Sequence, residues 1–434
     1  MRILVIDACA ASLDWTMRCI QDGHQVKWVV TNPKMAMVGK GIVERVDPYE
    51  WLKWPDLVFY TDNTKYLHLV ENFKTRGVAV IGPNTETAAW ELDRGKGQAV
   101  LKRAGVSIAD SKVFSDYDPA IAFVKKTMKR YVSKPSGDAD KALSYCSKGP
   151  ADMVYMLERW KKLGKLKSPF ILQEFVPGIE MAVGGWFGPG GFNKGWCENW
   201  EFKKLMNGDL GVATGEQGTV VRYTKSSKLA DMVLSPIEEQ LAATGYVGYI
   251  DVNCIIDESG VPLPLEFTMR PGWPTFNIQQ ALHEGDHAEW LMALANGQPA
   301  QSTLLEKVAV GVVMSIPDYP YSHITRKEVW GIPLYGLNPK IAPFVHPCEM
   351  MMTEAPHEVA GKIVNLPCLA TAGDYVLVTT GVADSIGAAK TSAYRVLKSL
   401  SMPNSPMYRT DIGDRLKKQL PDLHRMGFAK GLTF

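Results

Sequence analysis

The sequence contains no run of about 18 or more apolar residues, so no membrane-spanning helix is expected. It also has no C-x-x-C pair. Its seven cysteines, Cys9, Cys19, Cys146, Cys197, Cys254, Cys348 and Cys368, are far apart, which disfavours a zinc site. An odd count without framework spacing points to reduced thiols in a cytoplasmic protein. Neither sign of charge dominates: 48 Lys and Arg face 46 Asp and Glu, a net charge of +2. A near-neutral balance offers no broad phosphate-neutralising surface for unassisted nucleic-acid binding. The N-terminus lacks the marks of a signal peptide, because Arg2 is its only early positive charge and Asp7 and Asp14 interrupt the apolar run. Internal repeats and low-complexity tracts are absent as well.

What is present is a chain of 434 residues, longer than one hydrophobic core usually supports, so two or three domains are expected. Its first part alternates strands (Arg2 to Asp7, Gln25 to Val30, Asp56 to Asp62, Val78 to Pro83) with helices, one of them over Leu13 to Ile20. That alternation predicts a parallel sheet with helices on its faces. Glu86 to Ala104 reads as one helix ended by Gly105. A strand ending in Lys134, a helix over Ala151 to Leu163 and a strand into Gln173 to Val176 follow. Glu180 to Phe187 and Gly195 to Phe202 read as antiparallel partners. Val247 to Ile256 and Val261 to Phe267 form a hairpin turning at Asp257 to Gly260. Gly297-Gln298-Pro299 reads as a boundary, and the remainder as several strands, a helix near Ile386 to Leu400 and a polar tail.

Chemistry concentrates in that hairpin. Asp251 and Glu266 stand at equal distances from the turn, so they are expected side by side on one face. Two carboxylates that close repel unless a cation separates them, and magnesium, a hard ion that favours oxygen ligands and phosphates, is the natural occupant. Two ordinary solvent-facing acids satisfy the same spacing. Lys134, before Ser136-Gly137-Asp138, can reach nucleotide phosphates, although a solvated lysine at a strand end has the same pattern. Gln173-Glu174-Phe175-Val176 reads as an edge strand whose free backbone can pair with an adenine edge, and Glu180 as a carboxylate for ribose hydroxyls. Trp51, Trp54, Trp196, Trp200, Trp273 and Trp290 read as core or rim aromatics. His283 and His287, one helical turn apart, read as a solvated helix face rather than a metal pair.

Taken together and in order, these features resemble the ATP-grasp superfamily, most closely the phosphoribosylamine–glycine ligase family (glycinamide ribonucleotide synthetase) of purine biosynthesis, over nearly the whole chain. Ile81 to Ala89 is similar to the family's G-P-x-x-x-A-A entry to its ATP region. Arg94 falls at its first ATP lysine and Lys134 at its second. Gln173 to Glu180 is similar to E-E-F-x-x-G-x-E, which holds adenine and ribose. Glu201-Phe202-Lys203-Lys204 through Thr214-Gly215-Glu216-Gln217-Gly218 resembles D-H-K-R…G-D-x-G-P-N-T-G-G-M-G. Asp251, Glu266 and Thr268 take the places of the metal acids and the asparagine beside them. Val376 to Thr379, Ala388 to Tyr394 and Met407 to Gly413 resemble motifs of the family's terminal domain.

The departures fall mostly on the amine-substrate side. The family's glycine-rich first turn reads Asp7-Ala8-Cys9-Ala10-Ala11-Ser12-Leu13 here, without glycine, and an anion closing on backbone amides usually needs glycine. The second substrate turn reads Thr61-Asp62-Asn63, and R-F-G-D-P-E reads Arg270-Pro271-Gly272-Trp273-Pro274-Thr275. The glycine-rich lid after Lys134 reads Gly137-Asp138-Ala139-Asp140-Lys141, stiffer and more charged.

The resemblance implies an α/β ATP-grasp fold with an N-terminal parallel-sheet domain (1–92), an ATP-grasp domain (93–297, with a lid at about 114–180) and a C-terminal mixed α/β domain (298–434). It implies an ADP-forming carboxylate–amine ligase using ATP and magnesium, with manganese as the alternative, working through an acyl phosphate. Arg94, Lys134, Gln173, Glu174, Val176 and Glu180 would bind ATP, and Asp251 and Glu266 the metal. Arg270 and Lys203 would act on the substrate carboxylate or on developing charge, with Asp7, Asp62, Thr214, Gly215 and Thr268 near the substrates. Glycine or another amino acid is the expected carboxylate. The expected amine is linked to a nucleotide, nucleoside or base, so nucleic acid enters only as an acceptor. The alternatives are phosphoribosylamine–glycine ligase itself and a non-catalytic ATP-binding relative.

Overall fold

The computed structural model describes all residues except 136–143, 166–168, 194, 299–302, 322–326 and 404. The polar turn after Lys134, with its Gly137 to Lys141 segment, therefore lies outside the described residues, as does Pro299 of the expected boundary.

The first sheet contains β1 (Arg2–Ile6), β2 (Gln25–Val29), β3 (Glu44–Arg45), β4 (Leu57–Tyr60) and β5 (Ala79–Ile81), all parallel, in the order β3-β2-β1-β4-β5. Strands buried on both faces read as continuous apolar runs. Leu4, Ile6, Val58 and Tyr60 accordingly pack with Val70 and Phe73 of α2 (Leu67–Thr75) on one side. Ile3, Val5 and Phe59 join Leu13 and Trp15 of α1 (Leu13–Gln21) in the main core on the other.

The expected helix from Glu86 to Ala104 is instead two helices, α3 (Thr85–Leu92) and α4 (Arg94–Arg103). Asp93 leaves helical geometry and its carboxylate caps the Gly95 and Lys96 amides at 3.0 and 3.2 Å. An N-cap competes with helix continuation in this way, and it places Arg94 on the first turn of a new helix.

The next layer is antiparallel, in the order β6 (Ser111–Phe114), β9 (Phe170–Glu174), β7 (Tyr131–Pro135), β8 (Tyr145–Cys146). It is covered by α5 (Tyr117–Thr127) and α6 (Pro150–Lys162) around a separate apolar core that includes Ile121, Val124, Leu157, Trp160 and Phe170.

A nine-stranded sheet spans most of the remainder. Its path is β14 (Pro262–Thr268), β13 (Gly248–Asp257), β10 (Gly178–Gly188), β11 (Trp196–Glu201), β12 (Gly218–Thr224), β15 (Val308–Ser315), β17 (Tyr375–Ala383), β16 (Val345–Pro347), with Gly191–Phe192 beside β10. Packed on it are α7 (Thr275–Gln280), α8 (His287–Ala295) and α9 (Ile386–Ser399). The polar tail contains a further helix, α10 (Leu416–Arg425), whose Leu416, Leu420 and Leu423 are buried.

The layers are joined at named contacts. Gly82 donates its N–H to the Val247 carbonyl at 2.7 Å, and Trp15 Nε1 donates to His287 Nδ1 at 3.0 Å. Asp14 of α1 meets the buried His346 of β16 at 2.8 Å and Arg18 at 3.1 Å, and His346 Nε2 lies 2.9 Å from Thr380 Oγ1 of β17.

Candidate active site

The site lies on one face of the large sheet. Side chains alternate across a pleat, so the register decides which ones share a face. Glu266 of β14 pairs with Asn253 of β13, and Asp251 pairs with Thr268. The expected side-by-side opposition of Asp251 and Glu266 is therefore corrected. The register shifts between Asn253 and Cys254, leaving Leu265 as the extra residue. Such a bulge moves every later residue by one position. It brings Glu266 and Asp251 onto one face but two ladder pairs apart, with the Val252–Phe267 pair between them. Ala182 of β10 and Asn199 of β11 lie in register with Asn253, and the same face carries Glu180 and Glu201.

Cations converge on these acids from three elements. Arg94 Nη2 of α4 lies 2.7 Å from Glu266 Oε2. Lys203, just past β11, lies 2.8 Å from Glu180 Oε1 and 2.7 Å from Glu201 Oε2. Lys134 of β7 faces Glu266 electrostatically from the antiparallel layer. Burial raises the Glu266 carboxyl, but Arg94, Lys203 and Lys134 hold it down at about 2. Burial lowers the Lys134 ammonium to about 8. Burial works against the charge on Lys203 as well, yet Glu201, Glu180 and Glu266 keep it well above its ordinary range.

Deeper in the sheet, burial followed by repulsion from Glu201 pushes the Asp251 carboxyl up to about 7. Its Oδ2 accepts from Asn199 Nδ2 at 2.9 Å and from Tyr249 Oη at 3.1 Å. Asn253 Nδ2 donates to Glu180 Oε1 and Glu201 Oε2, both at 2.9 Å. The carbonyl oxygens Asn199 Oδ1 and Asn253 Oδ1 are buried without a hydrogen-bond partner. Burial and Glu201 also push Glu216 well above the carboxylate range. Five carboxylates and two free amide oxygens against three cations form an all-oxygen donor set, which suits a hard divalent ion. Among the described residues no group of three or more His, Cys, Asp and Glu could hold a metal by itself. Phosphate oxygens would have to complete the shell.

Other expected residues are placed differently. Gln173 belongs to β9, which pairs with both β6 and β7, so it lies on an interior strand and not on an edge. The strand ends at Glu174, whose carboxylate takes Lys129 at 2.7 Å. Phe175 and Val176 form the link to β10, with the Arg130 guanidinium 3.3 Å from the Phe175 ring centre. Thr214 Oγ1 donates to the Lys203 carbonyl at 2.9 Å, which sets it and exposed Gly215 beside that lysine. Arg270 stands apart from the cation cluster. It pairs with Glu91 at 3.1 Å and acts electrostatically on Cys9, as do Asp7, Asp62 and Lys65. The solvated-face expectation for His283 and His287 is also corrected. His283 belongs to the short strand His283–Glu284 and His287 opens α8. Their rings lie 4.2 Å apart beside Trp290, and burial holds His283 down at about 3.

Sequence reasoning named Glu201 only as the start of a motif and gave no role to Asn199, Asn253 or Arg415, whose guanidinium donates to the Glu201 carbonyl and covers the Phe202 ring at 4.1 Å. The alternation Asn199, Glu201 on a strand beside Lys203 was the available signal.

Residues 96–275 match the family described as phosphoribosylglycinamide synthetase, ATP-grasp (A) domain. The phosphoribosylamine–glycine ligase of Ralstonia nicotianae is 26% identical over 362 residues, covering 80% of this chain and 81% of its own. The crystal structure of phosphoribosylamine–glycine ligase from Thermotoga maritima superposes with a TM-score of 0.72 at 18% identity, covering 95% of this chain and 100% of that one. The biotin carboxylase domain of the 2-oxoglutarate carboxylase of Hydrogenobacter thermophilus, solved with MgADP and bicarbonate, gives 0.62 at 12% identity, covering 99% of each. The expected α/β architecture and the ATP-grasp resemblance agree with these matches.

Proposed function

We infer that this chain, an ATP-grasp protein resembling phosphoribosylamine–glycine ligase, is an ADP-forming carboxylate–amine ligase. The observation that carries the reading is the convergence of Arg94, Lys134 and Lys203, from three separate elements, on Glu266 and its neighbouring acids. Phosphoryl transfer is mostly positioning and charge neutralisation, and a cluster of cations and acids without a protein nucleophile suits it. Lys134 and Arg94 neutralise the phosphates of ATP. Its adenine lies against the link from Gln173 to Val176, with Glu180 taking the ribose. Glu266 and Asp251, with the free oxygens of Asn253 and Asn199, would hold magnesium, which supplies Lewis-acid charge neutralisation when bound.

A substrate carboxylate attacks the terminal phosphorus of ATP, giving an acyl phosphate and ADP. The acceptor amine then attacks the acyl carbon, phosphate leaves, and an amide bond forms. Lys203 faces the developing charge, while Arg270 serves the acceptor side near Cys9, Asp7 and Asp62. Glycine is the carboxylate best supported by the relatives' name. The competing reading, phosphoribosylamine–glycine ligase itself, draws on the same relatives and on their 80% coverage of this chain. The decisive experiment measures ATP-dependent ADP release across amino acids paired with amines on nucleotides, nucleosides and bases. No release with any pair would leave a non-catalytic ATP-binding protein.

A further inference from the structure

The backbone that carries Lys203 leaves the large sheet at Glu201, the last residue of β11, and enters a short hairpin of Lys204–Met206 and Leu210–Ala213. A chain that leaves one sheet for another loses the ladder that would satisfy its carbonyls, yet four successive carbonyls are held here. The Phe202 carbonyl accepts from the Gln217 N–H at 2.8 Å, and the Lys203 carbonyl from the Thr214 N–H at 2.8 Å. The two outer carbonyls take donors from far along the chain. Arg415 Nη2, 214 residues on, donates to the Glu201 carbonyl, and Arg409 Nη1, 205 residues on, donates to the Lys204 carbonyl at 3.0 Å. Both guanidinium groups also flank the Phe202 ring, 4.1 and 5.3 Å from its centre.

The segment that supplies these arginines is itself fastened. Met407 and Ser315 of β15 exchange backbone hydrogen bonds at 2.7 and 2.9 Å, and Tyr394 Oη of α9 donates to the Arg409 carbonyl at 2.6 Å. Arg409 is 1% exposed and its fork is fully engaged. Nε and Nη2 donate to the two Asp411 oxygens at 2.8 and 2.9 Å, and Nη1 also donates to Asp209 Oδ1 at 2.8 Å. A lysine offers no such planar fork. The hairpin tip is tied to the same segment, the Gly208 N–H to Asp411 Oδ2 at 2.8 Å and Asn207 Nδ2 to Thr410 Oγ1 at 2.6 Å.

We propose that Arg409 and Arg415 are positioning residues that pin the backbone on both sides of Lys203, and so fix where its ammonium stands between Glu180, Glu201 and the reacting carboxylate. A lysine ammonium rides on a flexible four-carbon stem, so its placement depends on a fixed root. Misplacing a charged group by about 1 Å can cost roughly 100-fold in rate. Arg415 also acts electrostatically on Glu180, so Arg409 gives the cleaner test. The effect on turnover rests on the ligase reading; the pinning does not.

The test uses the full chain and two readouts. The first is hydrogen–deuterium exchange of the Thr214 and Gln217 amides, which donate to the Lys203 and Phe202 carbonyls. In Arg409→Lys it should quicken roughly 10-fold, as losing a charged hydrogen bond implies, while amides of β13 keep the wild-type rate. The second is the ADP-release assay. There Arg409→Lys should lower kcat roughly 10- to 100-fold with KM for ATP unchanged. Arg415→Lys, which keeps its charge and a donor for the Glu201 carbonyl, should retain more activity than Arg415→Gln. Lys390→Gln breaks the 2.6 Å Lys390–Asp414 pair on the same tail and should match wild type in both readouts. If circular dichroism finds Arg409→Lys unfolded, exchange in Arg415→Gln decides. Wild-type exchange in the folded arginine variant, a fall in kcat matched by a change in KM for ATP in Arg409→Lys, or equal effects from Lys390→Gln would overturn the proposal. A wild-type chain silent in the ADP-release assay would sink the ligase reading and leave exchange to decide the pinning.

Discussion

Arg94 and Glu266 meet at 2.7 Å across the seam between α4 and β14, and the Asp93 cap that breaks the helix makes this contact available. Glu266→Gln should lower ADP formation at least ~100-fold, the scale seen when one electrostatic contact to a transition state is lost, and Asp251→Asn should do the same. Both should keep wild-type circular dichroism. Near wild-type turnover of either variant at saturating magnesium would remove that residue from the nucleotide site.

Lys134→Ala should weaken ATP binding by about 1.5–3 kcal/mol, the usual cost of a lost charged hydrogen bond, with little effect on amine binding. Calorimetry with ATP reads this directly, and unchanged affinity would place Lys134 outside the phosphate cluster.

Gly184 of β10 leaves room for the Tyr249–Asp251 contact. A Cβ there would lie 2.0 Å from Tyr249 Oη and 2.8 Å from Asp251 Oδ2. Gly184→Ala should therefore cost about 1–3 kcal/mol of stability, as overpacking does, and reduce turnover. A variant with wild-type melting and rate would contradict this packing.

His283, held at about 3 against an ordinary 6.5, stays neutral in the fold. The unfolded chain binds the extra proton between these values, so stability present above about pH 6.5 is lost as pH falls towards 3. Melting temperature should decline across that window, and a folded His283→Gln variant should decline less steeply. Parallel curves would show that His283 does not carry the loss.

Phosphoribosylamine should be a poor acceptor, because the turn after β1 carries no glycine and its Ser12 amide is held by Asp7. A coupled assay with freshly generated phosphoribosylamine, glycine, ATP and magnesium, beside a genuine purine-pathway enzyme, tests this. Turnover equal to that control would return the chain to ordinary purine synthesis.

Much of this was legible in the sequence because strands buried on two faces write themselves as apolar runs. Arg2 to Asp7 and Val78 to Pro83 coincide with β1 and β5 to within one or two residues at each end. Lys134, Glu180, Lys203 and Glu266 could be picked out because each sits at the end of a strand or beside a turn. The relation of Asp251 to Glu266 could not be counted from the turn, since the extra residue at Leu265 has no signature distinguishing it from its neighbours. The helix break at Asp93 was hidden because Asp93 both ends one helix and caps the next. His283 and His287 looked solvated because the aromatic rings that bury them, Trp15 and Trp186 among them, come from distant parts of the chain.

The Asp14–His346 contact has a consequence for how the molecule divides. It fastens the first helix to the far edge of the large sheet, and the main core runs without interruption from Ile3 to Leu432. Cutting the chain before β16 would strand Asp14 and Arg18 without their imidazole partner and open the wall behind α1, so the last third is a structural brace and not a detachable appendage. The layer from β6 to β9 has an interior separate from the main core, as has the α2 face of the first sheet. Unlike that face, whose strands β1 and β4 also supply the main core, this layer can swing against the frame without opening that core, and it carries Lys134 with it.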